Sequence, residues 1–256
     1  MTIKKKSKLP IDVLIKHLKT HKDAVIILGP DIVNKDISVK EESKDDFNRK
    51  NMVKKPEKFW SYYVDNLMSI FECKNKTTQN IEKLLNLNIH ENVIDTNIIN
   101  ILDKSYNVIA PTGKNDTLEC VKCSKKYNSI ELKGQLKTQD TTLKCDCGGN
   151  IKPTILCFGE KYPLNTYNKV KDAIFIEENN TPKLNTHTLI FVGVDFSDTL
   201  MSEIIDSYDA LKDNQHFTVV IADKGHRDDV IFYNPEFGVC DELDQAISRL
   251  IDLLKK

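Results

Sequence analysis

No run of about 18 apolar residues occurs in the 256-residue chain, so no segment is expected to span a membrane as a helix. There is no excess of charge either: 37 basic residues face 38 acidic ones. That balance creates no overall field to recruit nucleic acid or an acidic membrane surface. The opening stretch "MTIKKKSKLP" is basic but lacks the apolar core of a secretory leader. Seven cysteines without a leader point to a reducing intracellular setting, cytoplasmic or nuclear and not secreted. There, clustered cysteines hold metal more often than they pair as disulfides. No internal repeat and no long linker divides the chain. What remains is a globular protein, 40% apolar, long enough for one large domain or a large domain with a small insert.

Periodicity then orders the chain. Ile11 to Thr20 has the apolar spacing of an amphipathic helix. "AVIILG", Ala24 to Gly29, is a continuous apolar run ending in glycine, as a strand buried on both faces would be. Ile37 to Asn51 is polar and reads as loop or weak helix. Pro56 to Phe71 is a helix with proline near its start and aromatics on one face. Thr77 to Asn88 is another, with Thr77 or Thr78 as its cap. "NVIDTN" (92–97) and "NVIAPTG" (107–113) read as short strands followed by turns. Leu189 to Asp195 and Phe217 to Asp223 are again buried strands. Cys240 to Lys256 closes the chain as an amphipathic helix. Strands alternating with helices imply an α/β fold with a doubly wound parallel sheet. Ligands in such sheets sit beyond the carboxyl ends of the strands, here Gly29, Thr96-Asn97, Thr112-Gly113, Gly193 and Ala222-Asp223.

Cys120-x2-Cys123 and Cys145-x-Cys147 stand 21 residues apart. Each pair can grip one ion from a tight turn, and the stretch between can return as a hairpin. Four thiolates suit structural zinc and leave no open position for catalysis. Gly148-Gly149 supplies the backbone freedom such a turn needs. Cys73, Cys157 and Cys240 are isolated and read as small core residues, since no histidine or acid accompanies them in a recognisable pattern.

After the cysteines comes "PTILCFGEKYP", Pro153 to Pro163. Together with the four cysteines before it and "LIFVGVDFS" after it, this segment resembles the sirtuin (Sir2-like NAD-dependent protein deacylase) family. "PEKFWSYY", "VIDTNII" and "GVCDELDQAISRL" resemble that family's segments in the same order. The resemblance covers about residues 12–254. It implies a Rossmann-like large domain (1–30, 77–114 and 153–256). It further implies a small domain made of a helical insert (31–76) and a zinc-ribbon module (115–152). A cleft between the two would hold NAD and an acyl-lysine peptide. The implied chemistry removes an acyl group from lysine with NAD as co-substrate.

The chain departs from the family where that chemistry resides. The family's phosphate loop, Gly-Ala-Gly-hydrophobic-Ser, stands here as Gly29-Pro30-Asp31-Ile32-Val33. Pro30 removes an amide donor and Asp31 brings a carboxylate toward the expected phosphates. The family's Asp-Phe-Arg finds only Asp46-Phe47 with Arg49 one residue late. Asn97 is retained, but Thr96 replaces a glutamine and Ile99 an aspartate. Thr112 stands where the family has its histidine base, and a hydroxyl cannot take a proton near neutral pH as imidazole can. His90, nearest in sequence, precedes its strand and reads as a surface residue. His17, His21, His187, His216 and His226 show no partner pattern. Gly193-Val194-Asp195 and Ile221-Ala222-Asp223 lose hydroxyl and amide groups and gain carboxylates. Asp31, Asp195 and Asp223 at strand ends would oppose a dianionic cofactor. Singly, each reads as a capping or turn aspartate.

These residues lead to the expectation of a zinc-binding, sirtuin-like protein without activity, a binding or regulatory module for a protein or peptide. Weak cofactor contacts would remain at Gly29, Asn97 and Gly193, and the substitutions weigh against NAD as a ligand. The alternative is a divergent NAD-dependent deacylase, ADP-ribosyltransferase or NAD hydrolase using Asn97. A third reading is a zinc-stabilised domain with a vestigial cleft.

Overall fold

The computed structural model describes residues 9–33, 46–68, 72–103 and 105–256. Most of the polar stretch from Ile37, and the last three residues of the helix expected to end at Phe71, lie outside the described residues.

Six parallel strands form the central sheet, in the order β11-β10-β9-β1-β2-β3. They are β1 (Ala24–Leu28), β2 (His90–Asp95), β3 (Val108–Ile109), β9 (Thr188–Val192), β10 (Phe217–Ala222) and β11 (Phe237–Cys240). Every residue of β1, β9 and β10 is buried, which is why these strands carry unbroken apolar runs. Their side chains alternate between two cores. Ala24, Ile26 and Leu28 pack with α1 (Ile11–His21), α4 (Lys76–Leu85) and α9 (Leu243–Lys255). Val25 and Ile27 pack on the other face with α6 (Leu164–Ile174), α7 (Thr199–Leu211) and α8 (Arg227–Tyr233). Along α9, Leu243, Ala246, Ile247, Leu250, Ile251 and Leu254 are buried at the three- and four-residue spacing of one helix face.

A third core joins the helical and cysteine-bearing segments. Helices α2 (Arg49–Lys54) and α3 (Pro56–Tyr62) contribute Met52, Phe59, Trp60 and Tyr62. A wider helical turn at Tyr63–Leu67 continues α3. Against them packs a three-stranded antiparallel sheet in the order β5-β4-β6, from β4 (Thr117–Cys120), β5 (Lys126–Asn128) and β6 (Ile151–Pro153). Helix α5 (Ser129–Lys137) fills the connection between the cysteine pairs, and β7 (Phe175–Glu178) and β8 (Thr181–Leu184) form a hairpin.

Several expected boundaries shift. β2 ends at Asp95 rather than Asn97, because Thr96 donates both its N–H (2.9 Å) and its hydroxyl (3.0 Å) to the Leu28 carbonyl and turns the chain. β3 keeps only two residues of the expected seven, since Pro111 cannot donate to a ladder. α4 is capped by Asn75, whose side chain accepts from the Thr78 N–H at 2.9 Å, not by Thr77 or Thr78. The closing helix starts at Leu243, and Cys240 belongs to the edge strand.

Candidate functional site

The parallel register brings the carboxyl ends of β1, β2 and β9 level: Leu28 stands beside Asp95 on one side and Val192 on the other. Gly29, Thr96 and Gly193 therefore meet at one edge of the sheet. Their donors are engaged with protein. The Gly29 N–H donates to Val192 O (2.9 Å) and the Asp31 N–H to Gly193 O (3.1 Å). Ile32 N–H donates to Gly29 O (3.4 Å), Val33 N–H to Pro30 O (3.0 Å), and Pro30 has none to offer. A pyrophosphate in such a fold is held by outward backbone N–H groups of this turn. In residues 29–33 each of them is turned onto a carbonyl, so the loop does not fit that group. The packing is also tight: a Cβ on Gly29 would lie 2.1 Å from the Gly193 oxygen. Gly193 has φ +58° and touches Asp31.

Asp31 is almost buried, its side chain 8% exposed, with Oδ2 3.2 Å from His226 Nε2. Asp195 accepts from the Ser197 N–H at 2.8 Å and shapes the turn after β9. Asp223 leads into a short helix, Lys224–His226. The sequence showed no partner for His226, which reaches Asp31 only through folding.

Thr112 donates its hydroxyl to the Thr96 carbonyl at 2.9 Å. It links the turns after β2 and β3. His90 begins β2, at the opposite end of that strand, so it does not stand in for a base. It is half-buried rather than on the surface, its Nδ1 has no hydrogen-bond partner, and burial pushes its pKa down.

A centre that the sequence reading missed lies around Asp95, which is 1% exposed. Asp95 Oδ1 accepts from the Asn97 N–H (2.9 Å) and Asn97 Nδ2 (2.8 Å). Asp95 Oδ2 meets the Lys114 ammonium at 2.5 Å. The same ammonium donates to Asn97 O (2.8 Å) and Ile99 O (3.0 Å), using all three of its protons. Asn97 Oδ1 is buried without a hydrogen-bond partner. Lys114 is invisible as a partner of Asp95 in sequence because 19 residues separate them.

Beside this centre opens a cavity of about 490 Å³. Arg49, Lys114, Lys126, Lys152 and Lys161 line it, against two carboxylates, Glu119 and Glu160. Gly29, Asn97, Thr112, Gly193 and the three aspartates do not line it, although Gly113 does. Glu160, in "FGE", accepts from the Cys157 N–H at 2.7 Å and pairs with Arg49 and Lys152. Burial alone would raise its pKa, but that amide and the two cations hold it below the ordinary value. Phe47 stacks on Phe59, and its carbonyl accepts from the Phe158 N–H at 3.0 Å, which ties "FGE" to the start of α2.

The four cysteines meet. Sγ of Cys120 lies 3.5 Å from that of Cys147, and Cys123 lies 3.6 Å from Cys145. All four sulfurs fall within 4.8 Å of one another. A tetrahedron with zinc–sulfur arms of about 2.3 Å has edges of about 3.8 Å, so the set fits one ion. A Cβ on Gly149 would come 2.6 Å from Cys120 Sγ, and Gly148 takes φ +78°. The Tyr127 hydroxyl donates to Cys145 Sγ (3.0 Å) and, with the Cys147 amide, pushes that thiol down to about 6. The cluster could therefore hold a metal ion. Cys73 and Cys157 are buried as expected of core residues, and Cys240 is half-buried.

The Sir2 family model matches residues 33–181. The chain belongs to the Sir2 family. Relatives include the NAD-dependent protein deacetylase of Saccharolobus solfataricus, 32% identical over 110 residues, which are 42% of this chain and 44% of that protein. The NAD-dependent protein deacylase 1 of Archaeoglobus fulgidus is 30% identical over 120 residues, 45% of this chain and 47% of that one. The matched segment thus spans less than half the length of these curated relatives. Solved Sir2 structures share the fold over nearly the whole chain. A Sir2 homologue in complex with ADP-ribose superposes with a TM-score of 0.72 at 15% identity, covering 95% of this chain and 96% of that one. A Sir2–p53 peptide–NAD+ complex gives 0.70 at 18%, covering 95% and 98%. At such identities the likeness concerns the fold alone.

Proposed function

We propose that this Sir2-family protein is a zinc-stabilised binding module that does not carry out NAD-dependent deacylation. The observation that carries the reading is the turn at Gly29–Val33, where every N–H is directed onto a carbonyl and Asp31 packs against Gly193. Thr112 adds to it: its hydroxyl is donated to Thr96 O and cannot serve as imidazole would. In this reading Cys120, Cys123, Cys145 and Cys147 hold structural zinc. The small unit comprises the 31–76 and 115–152 segments; the third core supports most of it, while Ile32, Val33 and Cys73 pack in the first core and Ile155 and Cys157 in the third. The partner is a protein or peptide with an acidic stretch: of the five cations around the cavity, Lys114 is engaged by Asp95 and Arg49 and Lys152 by Glu160, so the attraction rests on Lys126 and Lys161. Seven cysteines, none of them in a disulfide, suit a reducing intracellular compartment, cytoplasm or nucleus.

Calorimetric titration of the zinc-loaded protein with NAD and with ADP-ribose tests the reading. No heat of binding at millimolar ligand is expected. Micromolar binding, with nicotinamide released in the presence of an acyl-lysine peptide, would overturn it.

One observation favours a second reading. Asn97 Oδ1 is a buried acceptor without a donor, next to the Lys114 ammonium. Such an atom costs about 1–3 kcal/mol unless something donates to it. A ligand hydroxyl or amide would satisfy it, and a divergent NAD-dependent deacylase, ADP-ribosyltransferase or NAD hydrolase would place one there. Asn97→Leu distinguishes the two by turnover and not by stability: in either reading it loses the Nδ2 bond to buried Asp95 and lowers the unfolding midpoint, and only in the second does it also abolish NAD turnover.

A further inference from the structure

Four of the chain's six histidines gather at the amino-terminal edge of the central sheet, the end away from the turns described above. His17 and His21 lie one turn apart on α1, with ring centroids 4.3 Å apart. His187, just before β9, stacks on His21 at 3.9 Å and stands 6.1 Å from His17. His216, just before β10, stacks on His187 at 5.3 Å, and His17 packs on Phe217 at 4.2 Å. Two carboxylates face these four rings. Asp23 Oδ2 is 2.6 Å from His187 Nδ1, and Asp213 Oδ1 is 2.6 Å from His216 Nδ1. Among the described residues no carboxylate bonds the ring of His17 or His21. The elements packed around the group bring further charges. α1 itself carries Lys16 and Lys19, and Lys22 follows it. At the end of α7, Lys212 pairs with Asp209 (2.8 Å) and with Glu236 ahead of β11 (3.0 Å). On α9, Asp244 pairs with Lys76 and Arg249 with Asp241, while Asp252 and Lys255 are exposed.

We propose that this cluster is an acid-sensitive latch on α1: charging the imidazoles sets like charges at stacking distance across the joint between α1 and the starts of β9 and β10, and frees the helix from the sheet. With neutral rings the histidines stack, and Leu14 and Leu18 seat α1 in the first core. With all four rings charged, the six groups pass from two negative charges to two positive ones. Lys16, Lys19 and Lys22 add to the positive sign. Asp23 and Asp213 offset one cation each, those of His187 and His216. The rings of His17 and His21 are left to repel each other and His187. The carboxyl end of a helix favours a cation near His21, but Lys19 and Lys22 already stand there. His17 resists charging. Burial, then the imidazoles of His21 and His187, push its pKa down to about 4, against the raising effect of the His187 backbone and of Asp23. Freed into water, the ring returns to about 6.5. The folded value is the depressed one, so protons favour the released helix. Docking is at full strength above about pH 6.5 and weakens as pH falls from there toward 4. α1 carries no strand and packs on α9, so it can leave without breaking the ladder of the central sheet.

Hydrogen exchange of the full chain, read by mass spectrometry at pH 7 and pH 5 and corrected for intrinsic exchange rates, tests the latch. The opening constant of peptides within 11–21 should rise about tenfold between the two, a figure that discounts the full His17 shift for solvent screening. His17→Gln cannot charge and should flatten that rise. Peptides within 115–152, which report on the cysteines, should respond to pH alike in both proteins. The readout is the ratio between the two pH values, so a general weakening of α1 by the variant does not imitate the effect. A second measurement needs no variant: the His17 ring of the wild type, followed by nuclear magnetic resonance, should titrate well below 6.5. A ring titrating near 6.5, an α1 whose opening does not rise toward pH 5, or an equal rise in wild type and folded variant overturns the proposal.

Discussion

At the scale of the residue, Lys114 and Asp95 form the pair on which the end of β2 depends. The ammonium satisfies a buried carboxylate and two carbonyls at once. Removing one partner of such a pair leaves a charge without compensation, at a cost of about 3–5 kcal/mol. Lys114→Met should therefore lower the urea midpoint sharply, and Lys114→Met with Asp95→Asn should recover much of it. If the single and double variants unfold together, the pair has no such weight. Glu160 gives the chain an acid limb. Its folded pKa lies below the ordinary 4.5, so its stabilisation is present above that value and is lost as pH falls through the folded pKa. Glu160→Gln should lower stability at neutral pH and flatten the loss below about pH 4.5. A parallel acid limb in both proteins would count against this.

At the scale of the element, the tightest approach is between the turns after β1 and β9. Gly29→Ala would drive a Cβ to 2.1 Å from backbone oxygen and must push the turns apart. We expect a loss of about 1–3 kcal/mol. Gly134→Ala is the control of opposite sign. It sits exposed in α5 with nothing within 4 Å of the new methyl, and should stabilise by about 0.5–1 kcal/mol. Thermal unfolding of the two variants, one down and one up, checks both. The helical pattern of α1 and α9 was legible in the spacing of their buried residues. Helices α2, α5, α6 and α8 were not read, because they are short or carry few apolar residues; α7 was not read either, although its buried Leu200, Met201, Ile204, Ile205 and Tyr208 carry the same spacing. Strand ends were legible only to within a few residues. Where β2 stops depends on Thr96 reaching the Leu28 carbonyl, a contact 68 positions away.

At the scale of the whole molecule, the sole tryptophan would report on a metal ion held by the four cysteines. Trp60 is fully buried in the core that also holds Cys120 and Cys145. Metal binding and folding of such a module are one equilibrium. Chelation, or Cys145→Ser, should release this core and red-shift the tryptophan emission, with zinc addition reversing the chelator's effect. An emission unmoved by zinc removal would refute the structural role. The sequence alone determined the two-faced parallel sheet, the four-cysteine cluster and the Sir2 likeness. Each is written in short-range pattern: unbroken apolar runs, a bite of two or three residues, a motif such as "FGE". Only the tertiary structure decided where Asp31 and Thr112 point, that Lys114 joins Asp95, that His226 meets Asp31, and that four scattered histidines converge. Those pairings join residues as far apart as positions 17 and 216, and sequence spacing carries no signal for contacts that depend on how the layers stack.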